Sequence, residues 1–175
     1  MCLVSKNRFI IITLSRTKKL NYADRNELIE VIMSINMEKK VLFLCTGNSC
    51  RSQMAEGFLK GLAGDRFEVI SAGLEPGIVN PKTVKVMKEI GIDISHHTSK
   101  DVNQFVGQNF DYIITVCDNA NEYCPSFPGK AERIHWSFED PAKAIGNEEE
   151  VLYLFRKVRN QVKSKLNDFI AKNKK

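Results

Sequence analysis

Cys45 and Arg51 stand with five residues between them, Thr46-Gly47-Asn48-Ser49-Cys50, and Ser52 follows at once. A thiolate that opens a tight loop can attack a tetrahedral oxyanion. The loop's backbone N–H groups and the guanidinium that closes it then hold the anion's oxygens. Arginine offers two parallel donors to two oxygens, which lysine cannot. Gly47 permits the tight path, and Asn48 and Ser49 tolerate unusual backbone angles. The positive surroundings are expected to depress the Cys45 thiol toward a thiolate near neutrality. Ser52 stands where its hydroxyl can reach that sulfur or cap the following helix. Attack of a thiolate on a dianion needs both charges offset at once, so these residue types belong together. Cys50, inside the loop, reads as a small packed thiol.

Such a loop works only if rigid elements hold its ends. Val41-Leu42-Phe43-Leu44 leads in as a strand over 40–44, and Ser52 to about Ala63 reads as a helix with Met54, Ala55, Phe58, Leu59 and Leu62 on one face. Phe67-Glu68-Val69-Ile70 is the next strand. Asn80-Pro81 starts a helix to about Ile90 with Val84, Met87 and Ile90 buried, and Gly91 ends it. A short helix is expected near 101–106, a third strand at Tyr112–Val116, an irregular stretch over 117–130 and a short strand at Glu132–His135. A long helix at 147–171 carries Val151, Phe155, Val158, Val162, Leu166, Phe169 and Ile170 as its stripe. Alternation of strands and helices predicts an α/β fold: three layers, with a mainly parallel four-stranded sheet between helices. The reactive loop then sits at the carboxyl end of a strand, where such sheets bind ligands.

The 175 residues suit one domain. The net charge of +5 is uneven: residues 1–36 hold six Lys/Arg against three Asp/Glu, which leaves only +2 for 37–175. That remainder is a weak case for nucleic-acid binding, and no nucleic-acid motif accompanies it. The five cysteines, Cys2, Cys45, Cys50, Cys117 and Cys124, without a secretory signal, fit a reducing, cytoplasmic setting. The apolar run Phe9–Leu14 is too short to span a bilayer. A strand at 9–14 and a helix at 24–35 are possible. Met37-Glu38-Lys39-Lys40 nevertheless looks like a natural start, so 1–36 are set apart as an extension and 37–175 as the domain. The extension is read as an appendage or an overlong start, with an accessory element docked on the domain as the alternative.

Leu42 to Gly57, with Ser71-Ala72-Gly73, Asn80-Pro81, His97-Thr98-Ser99, Val116-Cys117, Cys124-Pro125 and His135 to Ala142, closely resembles the thioredoxin-coupled arsenate reductases, which share the low-molecular-weight tyrosine phosphatase fold. The resemblance covers about 38–170. It implies a relay of three cysteines. Cys45 attacks arsenate to form a thiol–arsenate adduct, Cys117 attacks that sulfur as arsenite leaves, and Cys124 attacks Cys117. Thioredoxin then reduces the Cys117–Cys124 disulfide, after the segment between them has loosened. Disulfide Cα atoms lie within about 7 Å, so that segment must fold back or move.

Asp140-Pro141 resembles the general-acid loop of the phosphatase fold, where the aspartate protonates a departing oxygen. Ala142 and Lys143 follow where phosphatases of this fold usually carry an aromatic residue, which weakens a phosphotyrosine reading. Asn48, Glu56 and Ser71 match side chains that surround a potassium ion in some members, but Lys100 replaces their aspartate and argues against the ion, with Asp101 adjacent. His97, His135 and Trp136 are read as packing or hydrogen-bonding residues, and no zinc set is evident. The expectation is a monomeric enzyme with arsenate as substrate, thioredoxin as partner and no tightly bound cofactor. The alternatives are a phosphatase acting through Cys45, Arg51 and Asp140, and a phosphoprotein-binding module or redox sensor.

Overall fold

The structure, a computed structural model, describes residues 38–173. The strand at 9–14 and the helix at 24–35 lie outside the described residues.

Strand β1 (Lys39–Cys45) is buried from Val41 onward. It pairs in parallel with β2 (Phe67–Gly73) on one side and β3 (Tyr112–Thr115) on the other, with Val41 opposite both Val69 and Tyr112. β4 (Glu132–His135) adds to β3, giving the order β2-β1-β3-β4. All four strands are parallel, so the fold is three-layer α/β with a wholly, not mainly, parallel sheet. An interior strand covered on both faces has no solvent side, which is why β1 and β3 read as unbroken apolar runs. The edge strand β4, Glu132-Arg133-Ile134-His135, is largely exposed and correspondingly polar.

The helices are α1 (Arg51–Ala63), α2 (Pro81–Lys88), α3 (Asp118–Glu122) and α4 (Glu148–Lys172). Asn147 and Glu150 close a capping box at the start of α4, three glutamates occupy its first turn, and Lys172 lies in its last. Each choice suits the helix dipole. Its buried side chains Leu152, Phe155, Val158, Val162, Leu166 and Phe169 each contribute roughly 1.5–3 kcal/mol of apolar burial before entropy is counted.

Several expectations shift. Leu62 is 45 % exposed, because it lies at the edge of the α1 stripe. Ile90 is 38 % exposed, because α2 stops at Lys88 and the chain turns through Gly91 at φ +80°. The helix expected at 101–106 is a 3-10 turn at Val102–Gln104, and the irregular stretch after β3 contains α3.

This topology locates the site. β1 leads to β2 on one side, and the chain then crosses to β3 on the other. The crevice at the carboxyl end of β1 is the point where the direction reverses, and the Cys45–Arg51 loop fills it.

Candidate active site

The loop's carbonyls are all accounted for. Leu74 N–H donates to Cys45 O (3.2 Å), Glu75 N–H to Thr46 O (2.9 Å), Gly77 N–H to Gly47 O (3.1 Å) and Asn80 N–H to Ser49 O (3.0 Å). The Ser99 hydroxyl adds a second bond to Gly47 O, and Gln53 Nε2 donates to Asn48 O. Segment 74–80 thus runs along the loop and draws its carbonyls outward. Among the described residues no acceptor takes the N–H groups of Thr46, Gly47, Ser49 or Cys50. Unpaired N–H groups at the mouth of a helix N-terminus form an anion cradle.

Asn48 is the pin. It is fully buried at φ +46°, the left-handed region that asparagine tolerates better than most residues. Its backbone N–H donates to Cys45 Sγ at 3.0 Å. Its side-chain NH2 donates to Ser52 Oγ and Ser71 Oγ, and its Oδ1 accepts from Lys100 N–H and Gln53 Nε2. Ser71 Oγ in turn donates to Glu56 Oε2 at 2.5 Å. Glu56 is 3 % exposed and carries two ammonium groups, Lys60 on Oε1 (2.5 Å) and Lys100 on Oε2 (3.3 Å). Burial pushes its carboxyl up, but Lys60, Ser71 and Lys100 outweigh burial and leave it below the ordinary value. Asp101, the other acid nearby, caps the 3-10 turn through Asn103 N–H.

Cys45 is 2 % exposed, with its sulfur 2.9 Å from Ser52 Oγ. Here the sequence expectation is corrected. Burial pushes the thiol above its ordinary value, outweighing Ser52, the Arg51 charge and the Asn48 N–H, and the nearby Cys117 adds to the rise. The Arg51 charge pulls the thiol the other way, while its fork is engaged elsewhere, with NH1 donating to Phe138 O (3.1 Å) and NH2 on Asp140 Oδ2 (2.9 Å). Arg51 Nε is buried and has no partner among the described residues. Asp140 also accepts from Ala142 N–H, which fixes it at the head of the Pro141–Lys143 turn. Cys50 is buried, and burial raises its thiol, as suits a packed residue.

Cys117 ends β3's path and stands just before α3, buried, with its sulfur 3.5 Å from Thr46 Oγ1. It lines a cleft of about 740 Å³ together with Thr46, Arg51, Asn119 and Asp140. Cys124 lies beyond α3 and is half-buried, and Cys45, Cys50, Cys117 and Cys124 are all free thiols. The structure therefore brings together Cys45, Thr46–Ser52, Cys117 and Asp140 and sets Cys124 apart. The five-residue helix α3 stands between Cys117 and Cys124, and no disulfide joins them. Besides the Thr46–Cys117 contact, side chains hold this segment by pairing Asp118 with His135, Asn119 with Thr46, Asn121 with Thr115, and Arg133 with Cys124.

His135 bridges Thr115 and Asp118, His97 bonds Gln53, and Trp136 packs on Phe43 and Phe169, all as expected of packing or bonding residues. Sequence reasoning missed Gln53, Ser99, Lys60 and Arg133, whose partners lie on other elements; Lys60, four residues after Glu56 on one helix, was the one with a readable signal. Among the described residues no cluster of three His, Cys, Asp or Glu side chains is placed for a metal, and no helix is long and apolar enough to cross a membrane.

A parallel four-stranded sheet with a Cys-x5-Arg cradle at the carboxyl end of its first strand defines a class, and the sequence profile agrees: the chain belongs to the low molecular weight phosphotyrosine protein phosphatase family, matched over residues 40–175. Within that family it stands beside proteins named arsenate reductase. That of Halalkalibacterium halodurans is 51 % identical over 139 residues, covering 79 % of this chain and all of the relative, and that of Bacillus subtilis is 48 % identical over 139 residues with the same coverage. A solved arsenate reductase in its phosphate-binding state superposes with a TM-score of 0.68 at 40 % identity, over 78 % of this chain and 99 % of that one.

Proposed function

We propose that the protein reduces arsenate to arsenite through a relay of Cys45, Cys117 and Cys124, with thioredoxin as the electron donor. One observation favours this over a phosphatase: Cys117 Sγ shares the cleft of Arg51 and Asp140 and touches Thr46 of the anion loop. Hydrolysis of a phosphate ester needs no second thiol there.

Arsenate enters the cradle, its oxygens taking the free loop N–H groups and Arg51, whose buried Nε is the unused donor. Arg51 thereby loosens from Asp140, which is left facing the departing oxygen. Cys45 forms the sulfur–arsenic bond, and its proton leaves with the displaced hydroxide as water, passed by Asp140. Cys117 then attacks Cys45 Sγ. The sulfur–arsenic bond breaks, its electron pair stays on arsenic, and the Cys117 proton accompanies the departing arsenite. Cys124 attacks Cys117 and frees Cys45, which requires α3 to unwind. The Cys117–Cys124 disulfide passes to thioredoxin.

The corner behind the loop supports working without potassium. Both Glu56 oxygens already carry ammonium groups, and Asn48 turns its NH2, not its carbonyl, toward Ser71. Lys100 and Lys60 hold the charge there. The protein works as a cytoplasmic monomer, with 37–175 as the catalytic unit.

The test is Cys124→Ala with arsenate, thioredoxin, thioredoxin reductase and NADPH. The expected result is one turnover of arsenite ending in a Cys45–Cys117 disulfide, with phosphomonoester hydrolysis retained. Normal multiple turnovers would end the relay reading.

A further inference from the structure

We propose that Arg133 is a positioning residue for the last thiol exchange: it holds Cys124 as the attacking sulfur and offsets its negative charge. The proposal rests on the relay reading above.

The four described cysteine sulfurs differ in what donates to them. Cys45 faces Ser52 Oγ and the Asn48 N–H, Cys50 the Ser49 hydroxyl, and Cys117 Thr46 Oγ1. Only Cys124 receives a hydrogen bond from a charged group: Arg133 NH1 donates to its Sγ at 3.1 Å. The second nitrogen of the same fork, NH2, donates to Pro125 O at 3.1 Å. One planar group thus grips both the sulfur and the backbone that follows it. That two-point hold gives the contact a defined geometry, which a single exposed pair lacks. Arg133 projects from edge strand β4, so its anchor is the sheet and not the segment that must move.

The chemistry of the step asks for such a group. Cys124 must act as an anion to attack the Cys117 sulfur of the Cys45–Cys117 disulfide. Its proton goes to solvent, the Cys117–Cys124 bond forms, and the Cys45–Cys117 bond breaks with its electron pair on Cys45. A guanidinium N–H bonds an anionic sulfur more strongly than a neutral one. Cys124 is not among the residues lining the cleft of Thr46, Arg51 and Cys117, so its charge must be met locally. Arg133 is the one charged side chain that hydrogen-bonds it among the described residues.

The test uses the full chain with Arg133→Gln and Arg133→Lys. A single turnover of arsenate is quenched by acid at intervals, and disulfides are mapped by mass. Arg133→Gln is expected to accumulate Cys45–Cys117 and to form Cys117–Cys124 roughly tenfold more slowly at neutral pH. The arsenite burst and phosphomonoester hydrolysis should keep wild-type rates. Arg133→Lys should restore part of the rate, since it keeps the charge but loses the second grip. A wild-type second exchange in Arg133→Gln, while Cys124→Ala still stops after one turnover, overturns the role of Arg133 and leaves the relay standing. A deficit that lysine does not relieve marks a merely structural contact and also overturns it. Normal turnover in Cys124→Ala removes the relay and this proposal together.

Discussion

Replacing Gly73 by alanine should damage the anion loop from behind. Gly73 ends β2 opposite Cys45. A Cβ there would lie 2.6 Å from Thr46 O, 2.8 Å from Asn48 N and 3.0 Å from Asn48 Cβ. The first two are backbone atoms and cannot rotate away. Ordinary contact for a methyl carbon is roughly 3.5 Å, so loop and strand must part by up to about 1 Å. Thr46 O is tied to Glu75 N–H and Asn48 N–H to Cys45 Sγ, so the retreat strains both bonds and moves the nucleophile. Overpacking of this kind costs about 1–3 kcal/mol, and for a domain of this size that lowers Tm by about 3–12 °C. Misplacing a reacting group by ~1 Å costs on the order of 100-fold in rate. The assay is kcat/KM for arsenate with thioredoxin recycling, alongside calorimetry and the protection that arsenate gives Cys45 against iodoacetamide. Gly61→Ala is the paired control: nothing lies within 4 Å of its added carbon, and it is exposed on α1. It should gain about 0.5–1 kcal/mol with activity unchanged. A Gly73→Ala protein with wild-type Tm and kcat/KM would refute the close approach.

Three further outcomes are expected. Burial raises the Cys45 thiol, so its alkylation without anion should keep climbing with pH through and beyond neutrality, and a plateau at or below pH 7 would contradict that direction. Glu56 has its folded value lowered, so its contribution to stability is present above the unfolded value and is lost as pH falls below about 4.5. Between pH 7 and 4 the urea midpoint of Glu56→Gln should therefore fall less than that of the wild type, and an equal fall speaks against the lysine–Glu56 arrangement. A chain of residues 37–175 should keep wild-type arsenate turnover and melting temperature. Substantial loss of either would assign 1–36 a part in the domain.

What the sequence determined by itself is local. The run Val41–Leu44 had to be an interior strand, because only burial on both faces suits an unbroken apolar segment. The spacing of Cys45, Gly47 and Arg51 between that strand and a helix wrote the cradle in adjacent residues, and Asn80-Pro81 wrote the start of α2. Family likeness then brought in Cys117, Cys124 and Asp140. Pairings across the fold were left to the tertiary structure. Only the docking of 74–80 turns the loop's carbonyls outward and frees its N–H groups. Only the approach of β2 makes Gly73 irreplaceable by a larger residue. The Cys45 thiol was misjudged for the same reason: its neighbours in sequence are polar and positive, but the sulfur is 2 % exposed and Arg51 is drawn off to Asp140 and Phe138, on another element. Loss of solvent depends on everything packed around an atom, and no stretch of chain carries that by itself. Helix α3 and the grip of Arg133 on Cys124 belong to the same class, since a five-residue helix with four polar residues forms only where Thr46, Thr115 and His135 are there to receive them.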